Sequence, residues 1–162
     1  MIKAVEKASK LVIRDFGEVE KLQISKKGPR DFVTKTDKRV ENIIIEELSK
    51  TKKNYSFLSE EIGKIKNKDE DNIWIIDPID GTTNFLHGIP HFAICIALQS
   101  NTEIVSGLIF DPIKDEMFFA EKNKGSYTCR ENRSKSRKWR QKSRWKQLRF
   151  FGELWDRLLK FG

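Results

Sequence analysis

The sequence contains few cysteines and no long apolar run, and each shortage excludes a class of protein. Two cysteines among 162 residues, Cys95 and Cys129, are too few for the disulfide framework of a small secreted domain. The longest apolar stretch, residues 89–98, has about half of the ~20 residues that a membrane helix requires. The first residues mix charges and lack the apolar core of a signal peptide. We therefore expect a reduced, cytoplasmic protein without a membrane span.

Excess positive charge is confined to one part of the chain. The formal net charge is +8, yet residues 129–149 alone hold ten Lys and Arg against one acid. Residues 1–128 hold 20 bases and 21 acids and are nearly neutral. Ala, Val, Ile, Met and Pro are absent from Thr128 onward, whereas the preceding part contains eighteen Ile. This change predicts a domain over residues 1–127 and a basic tail, rich in Trp and Arg, over residues 128–162.

Helical spacing of apolar residues dominates the first third of the chain. The pattern over residues 5–16 predicts a first helix, which Gly17 is placed to end. A second helix is predicted over residues 40–48, with Thr36 or Asp37 as its amino-terminal cap.

Shorter runs rich in β-branched and aromatic residues follow, and they predict strands. The stretch over residues 63–72 is polar and without periodicity, which indicates a solvent loop. DPIKD, residues 111–115, predicts a hairpin turn with Pro112 at its corner. Helices followed by a sheet predict an α/β fold in the broad sense, an α+β layered sandwich.

The stretch WIIDPIDGTTNF, residues 74–85, brings Asp77 and Asp80 to the end of an apolar run. Pro78 cannot donate to a sheet ladder, so we expect the strand to end there. Two carboxylates held close together repel each other unless a cation lies between them, and hard oxygen ligands suit Mg²⁺. GTTNF predicts a short helix whose amides face an anion. These are the parts of a metal-assisted phosphate-ester hydrolase.

Three stretches resemble motifs of one enzyme family, in the family's order. WIIDPIDGTTNF is similar, nearly letter for letter, to the signature of the inositol monophosphatases, which are Mg²⁺-dependent, lithium-sensitive phosphatases. DFVTKTD, residues 31–37, is similar to the family's D-x-V-T-x-x-D segment, and FLSEE, residues 57–61, to its F-x-x-E-E segment. The resemblance covers residues 1–127. It implies the amino-terminal part of the fold shared by inositol monophosphatases and fructose bisphosphatases, and a homodimer is a reasonable expectation.

The resemblance implies that acidic residues bind Mg²⁺. Glu60, Asp77 and the backbone carbonyl of Ile79 would bind a first metal, while Asp77 and Asp80 would share a second. Glu60 would also touch a further, weaker metal, with Glu61 in a supporting role.

Roles toward substrate are also implied by the resemblance. Glu60 and Thr82 would orient and activate the attacking water, and Asp37 would accept a hydrogen bond from the Thr82 hydroxyl. Asp80 and the amides of Gly81 and Thr82 would hold the phosphate. The substrate would be a phosphate monoester, of inositol or a related polyol.

The acidic residues also have plainer interpretations. Asp37 is well placed as a helix cap, and Glu60 with Glu61 fits a solvated strand end. Asp77 and Asp80 are poorly explained as turn formers, because a turn needs only one of them.

Neighbouring residues likewise have structural alternatives. Residues 82–84 could simply cap a short helix. His87 and His91 suggest metal ligands, but the resemblance gives them no such role, so a loop or packing role is preferred. Cys95 is interpreted as a small core residue.

Members of the family continue into a second layer whose W-D-x-A-A-G-like segment supplies another metal ligand. LWDRLLKFG, residues 154–162, contains Trp155 and Asp156 but not the small residues that should follow, and the match is interpreted as coincidence. The chain is therefore expected to be a truncated member of the family.

Three interpretations of the tail remain open. A frameshifted end would explain the exchange of Ile, Asn and Asp for Arg, Ser and Trp. A nucleic-acid-binding arm would explain the two Trp among the bases of residues 129–149. Amphipathic docking onto a partner or a membrane would use four apolar residues, Leu148, Phe151, Trp155 and Leu158.

Overall fold

The computed structural model describes residues 1–22, 29–131 and 137–142. The elements in chain order are α1 (Ile2–Leu22), α2 (Pro29–Thr51), β1 (Tyr55–Ser59), β2 (Gly63–Ile65), β3 (Asp69–Asp80), α3 (Thr82–Leu86), β4 (Ala93–Ser100), β5 (Glu103–Asp111), β6 (Glu116–Glu121), β7 (Gly125–Glu131) and β8 (Arg137–Lys142). None of the helices in this described part is long and apolar enough to cross a membrane.

The strands form one sheet in the order β2-β1-β3-β4-β5-β6-β7-β8. Neighbours pair antiparallel except β1 and β3, which are parallel. From β3 onward each strand pairs with the next one in the chain. The predicted hairpin at DPIKD is confirmed, since Asp111 pairs with Glu116 and its Oδ1 accepts the amides of Ile113 and Lys114 at 3.0 and 2.9 Å.

The helices cover one face of the sheet, and the main core lies between the helices and that face. Residues along β3 alternate between the two faces, as the two-residue period of a strand requires. Trp74 and Ile76 therefore join the core under the helices, while Ile75 joins a smaller cluster with Cys95 on the other face. The predicted layered α+β fold is confirmed, and so is the core position of Cys95.

Both helices extend beyond their predicted ends. α1 continues through Gly17 to Leu22, so the prediction that Gly17 ends it is wrong. Val19, which is fully buried, packs into the core and offsets the roughly 1 kcal/mol that glycine costs in a helix. α2 begins at Pro29, a residue type favoured in the first turn of a helix.

Because α2 starts early, Thr36 and Asp37 lie inside it and neither is its cap. The Thr36 hydroxyl instead donates to Oδ2 of buried Asp15 on α1 at 2.9 Å. This bond joins the two helices at a point where both side chains are shielded from water. Asp37, being inside the helix, is not needed as a cap for the first-turn amides of α2.

The predicted loop over residues 63–72 is also wrong in part. It contains β2 and the beginning of β3. β2 pairs with β1 through a tight hairpin, which a search for apolar alternation misses because a short edge strand has little apolar surface. The connection from β2 to β3 consists of residues 66–68 alone.

The change in composition near Tyr127 falls inside β7. Cys129 is 1% exposed, and it pairs across the sheet with Trp139 of β8. The division into residues 1–127 and 128–162 stays a prediction. The amphipathic docking residues and the LWDRLLKFG segment lie outside the described residues.

Candidate active site

Two parallel strands place Glu60 and Asp77 at the same edge of the sheet. Ser59, the last residue of β1, is paired with Ile76 of β3. The next residue on each strand is acidic, and since the strands run in the same direction, both follow at the same level. The only parallel pair among the described strands therefore brings together two predicted site residues that are 17 positions apart in the sequence.

β3 does not end at Pro78 as predicted, but continues to Asp80 through an irregularity. Asp77 pairs with Cys95 of β4, and the next pair joins Asp80 to Ala93. Three steps along β3 thus match two along β4, which inserts one extra residue where proline supplies no amide. A bulge of this kind redirects side chains and often lies beside a site.

Asp77 is a buried carboxyl group surrounded by other acids. Its side chain is 7% exposed, and Oδ1 has no hydrogen-bond partner among the residues that the structure describes. Burial raises the pKa of Asp77 well above its usual value, and the charges of Glu60, Asp80 and Asp37 raise it further. A hydrogen bond with the Glu60 side chain acts in the same direction. The protonated form is thus favoured relative to an exposed aspartate, and a nearby cation would favour the charged form instead.

Asp37 is a second buried acid, on the face of α2 that points toward the site. It is 4% exposed, and its Oδ1 likewise lacks a hydrogen-bond partner within the described part of the chain. Burial, followed by the charges of Glu61, Glu60 and Glu41, raises the pKa of Asp37 to about 8. Four acids of the predicted site, Asp37, Glu60, Asp77 and Asp80, therefore influence one another electrostatically.

Glu60 and Glu61 occupy the turn between β1 and β2. Glu60 is exposed and Glu61 is half-buried. The exposure of Glu60 fits a solvated strand end. In addition, the charges of both residues raise the pKa of buried Asp37, and that of Glu60 also raises the pKa of Asp77.

The predicted short helix after Gly81 is confirmed as α3, Thr82–Leu86. It is fixed by Phe85, whose fully buried ring lies 5.4 Å from that of Phe16 and 5.0 Å from that of Phe92. Gly81 caps the helix in a left-handed conformation without a side-chain bond. The short helix is therefore held by aromatic packing, with its first residues beside the acids.

The Thr82 hydroxyl donates to the backbone carbonyl of Ile79 at 2.9 Å. A hydroxyl has one proton, so the bond to Asp37 that the resemblance implies is not formed here, and Asp37 Oδ1 stays unpaired among the described residues. The Thr82 hydroxyl donates to Ile79 because that residue is only three positions earlier. The chain turns between them, which brings the Ile79 carbonyl oxygen within hydrogen-bond distance of Thr82.

His87 and His91 lie at and just after the end of α3. His87 ends α3, and His91, with an exposed side chain, accepts the Asn84 side-chain amide on its backbone carbonyl at 2.7 Å. These positions agree with a loop role.

Gly81→Ala is expected to destabilise the protein by about 1–3 kcal/mol, because the left-handed backbone (φ 94°) disfavours a side chain. A Cβ at this position would lie 3.0 Å from the His91 carbonyl oxygen and 3.3 Å from Phe92. Gly17→Ala is the matched control, since no atom lies within 4 Å of its added Cβ and α1 gains about 0.5–1 kcal/mol. Urea unfolding compares the two variants, and an equal effect from both would contradict the prediction.

Carboxyl groups with unpaired oxygens fit a divalent cation. Within residues 1–22, 29–131 and 137–142, no three His, Cys, Asp or Glu side chains stand together as a ready-made metal cluster. Mg²⁺, however, usually keeps several waters and takes only one or two carboxylates from a protein. A cation bound to Asp77 would pair its unpaired oxygen and relieve the repulsion among the acids, Asp37 included.

Sequence reasoning gave no role to Glu41 and Ser59, which are buried and joined by a hydrogen bond from the Ser59 hydroxyl to the Glu41 carboxylate. Glu41 lies one helical turn after Asp37, a spacing that places both on one face of α2. That spacing is visible in the sequence, but a Glu in a polar helix is usually solvated, so the signal is weak.

Known proteins are similar to this chain in sequence and in fold. A model of the inositol monophosphatase family matches residues 1–150. The chain is 53% identical over 127 residues to inositol-1-monophosphatase of Rhizobium meliloti (strain 1021), a match that covers 78% of this chain and 48% of that protein. It is 35% identical over 125 residues to the Nus factor SuhB of Escherichia coli (strain K12), covering 77% and 47% respectively.

The fold agrees with a crystal structure of the extragenic suppressor protein suhB from Bartonella henselae. The TM-score is 0.70 at 49% identity, and the match covers 79% of this chain and 50% of that one. The chain spans about half the length of the curated relatives it matches.

Proposed function

This chain belongs to the inositol monophosphatase family, and from that premise we propose that it acts as a Mg²⁺-dependent phosphate monoester hydrolase. The observation that carries the proposal is the pair of buried carboxyl groups, Asp37 and Asp77, each with an unpaired oxygen and a raised pKa. Repulsion between buried carboxylates destabilises the folded state, and a bound cation removes that repulsion.

The proposed metal-binding groups are those at the sheet edge. Glu60, Asp77 and the carbonyl oxygen of Ile79 would hold one ion, and Asp77 with Asp80 a second, with Glu61 supporting Glu60. When bound, Mg²⁺ would supply charge neutralisation for the phosphate and a lowered pKa for water. Asp77 can serve both ions because its two oxygens need not face the same side.

The remaining residues act on water and substrate. Glu60 is exposed at the rim and would take the proton from the attacking water. Thr82 would position that water, and Asp37 would accept a hydrogen bond from the Thr82 hydroxyl. This pairing requires the hydroxyl to leave Ile79, which also releases the Ile79 carbonyl oxygen for a cation. Asp80 and the amides of Gly81 and Thr82 would hold the phosphate.

The proposed substrate is an inositol phosphate, which is converted to inositol and phosphate. Its support is the name of the Rhizobium relative and the match to the family model. Water attacks phosphorus, the bond to the alcohol oxygen breaks, and that oxygen takes up a proton.

Phosphate release from inositol 1-phosphate tests the proposal. The chain should release phosphate only with Mg²⁺, and Asp80→Asn should lower the rate by about 100-fold, because a neutral amide is a poor ligand for a hard cation. Asp71→Asn, the same change at an exposed position of β3, is the control and should keep the rate. Equal rates for the chain and Asp80→Asn, or no Mg²⁺-dependent release at all, would refute the proposal.

The other expected properties stay predictions. They comprise the homodimer, the cytoplasmic location and binding of nucleic acid by residues 129–149. The ten Lys and Arg of residues 129–149, with two Trp among them, are the reason to test RNA binding by the tail. Such binding should weaken steeply with salt and vanish on truncation at Tyr127.

A further inference from the structure

Glu41 lies on α2 outside the three family motifs, and its carboxylate binds the turn that carries Glu60. Glu41 is 0% exposed. Its Oε1 accepts hydrogen bonds from the Ser59 hydroxyl and from the Ile62 backbone amide, the latter at 3.0 Å. Its Oε2 accepts the backbone amide of Glu61 at 3.1 Å. Three donors from one turn thus converge on a single side chain that precedes them by 18 to 21 residues.

The turn lies outside the strand pairing of the sheet. β1 and β2 pair up to Ser59 and Gly63, which leaves residues 60–62 outside the ladder. Glu41 fixes the amides of two of these three residues. Burying a carboxylate costs free energy unless hydrogen bonds replace water, and here charge-assisted bonds to the turn replace it. The helix and the turn are therefore held together by this group.

Glu41 and Asp37 belong to the same face of α2. They are four residues apart, one turn of the helix, and both are buried. Asp37 faces the acids of the site, while Glu41 binds the backbone that carries one of them. The helix thus sets the position of the turn relative to β3.

We propose that Glu41 is a positioning residue for Glu60: by holding the amides of Glu61 and Ile62, it directs the Glu60 carboxylate toward Asp77. This assignment rests on the proposed function, in which Glu60 binds the metal and takes the proton from water. Glu41 itself touches neither metal nor substrate. Its effect on the site passes through the turn.

Glu41→Gln tests the proposal with almost no change in volume. One accepting oxygen becomes an amide group that can only donate, so at least one bond to the turn is lost. Hydrogen exchange of the Glu61 and Ile62 amides, followed by NMR, should become faster by about 10-fold or more. The dissociation constant of Mn²⁺, a paramagnetic substitute for Mg²⁺ measured by EPR, should rise about 10- to 100-fold, as for other residues that orient metal ligands.

Glu47→Gln is the matched control. Glu47 is on the same helix, and its ion pairs with Lys7 and Lys50, each at 2.6 Å, lie at the surface. The same chemical change there should leave both the exchange of the turn amides and the Mn²⁺ affinity as in the unchanged chain.

A merely structural role would give a different pattern. Glu41→Gln would then lower the melting temperature while the folded protein kept its Mn²⁺ affinity and the turn amides exchanged no faster than the rest of the sheet; this result overturns the proposal. If the unchanged chain binds no Mn²⁺, the proposed function fails, and the exchange of the Glu61 and Ile62 amides alone decides on Glu41.

If Glu41→Gln does not fold, Ser59→Ala replaces it. Faster exchange confined to residues 60–62 is then expected, and unchanged exchange overturns the proposal.

Discussion

Asp77→Asn should abolish Mg²⁺-dependent phosphate release while making the metal-free protein more stable near neutral pH. The proposed site uses Asp77 for both metals, so its loss should lower the rate by about 1,000-fold or more, which corresponds to about 4 kcal/mol of transition-state stabilisation. The same residue is buried among acids that raise its pKa, and a neutral amide of equal size avoids that repulsion. We expect a gain of about 1–3 kcal/mol in the free energy of unfolding without metal at about pH 8.

The two effects are measured separately. Phosphate release gives the first, and urea unfolding in EDTA gives the second. Asp71→Asn, on the same strand but exposed, should change the unfolding free energy by less than about 0.5 kcal/mol and leave the rate unchanged. A variant at Asp77 that is less stable than the unchanged chain near pH 8 would show that the carboxylate contributes to the fold rather than to a site.

The metal-free protein should become less stable as the pH rises from about 4 to about 8. The pKa of Asp37 is about 8 in the folded protein against 3.8 for the unperturbed group. Between these values the folded state holds a proton that the unfolded state releases. The stabilisation is complete below the unfolded pKa and is lost as the pH rises through the folded one. One such proton corresponds to about 1.4 kcal/mol per pH unit, and Asp77 acts in the same direction.

Asp37→Asn isolates this contribution. The variant should be more stable than the unchanged chain near pH 8, and its unfolding free energy should depend less on pH. Added Mg²⁺ should flatten the decline in the unchanged chain, because a cation stabilises the charged carboxylates. Urea unfolding at about pH 4.5, 6 and 8 provides the data. Parallel pH profiles for the two proteins would mean that Asp37 does not hold its proton in the fold.

Parts of the fold that depend on neighbouring residues could be predicted from sequence. The hairpin at Pro112 was one such part, since Asp111 supplies the acceptor for its own turn. α3 was another, because GTTNF contains the glycine that starts it. The approach of Asp77 and Asp80 to each other followed from their spacing alone.

Features that depend on distant contacts could not be predicted in this way. α1 passes Gly17 because Val19 reaches the core, and core packing is not visible in local propensity. β3 passes Pro78 because β4 accommodates an extra residue there. Glu41 looks like an ordinary surface glutamate until a turn 20 residues later is folded against it.

The parallel pairing of β1 with β3 acts as a ruler for the site. Moving one strand by a single residue would turn every side chain of that strand to the opposite face and separate Glu60 from Asp77. The connection over residues 66–68 lies at the far end of these strands. Insertions there can lengthen the molecule without moving the acids, whereas adding one residue to the five of β1 would misalign them.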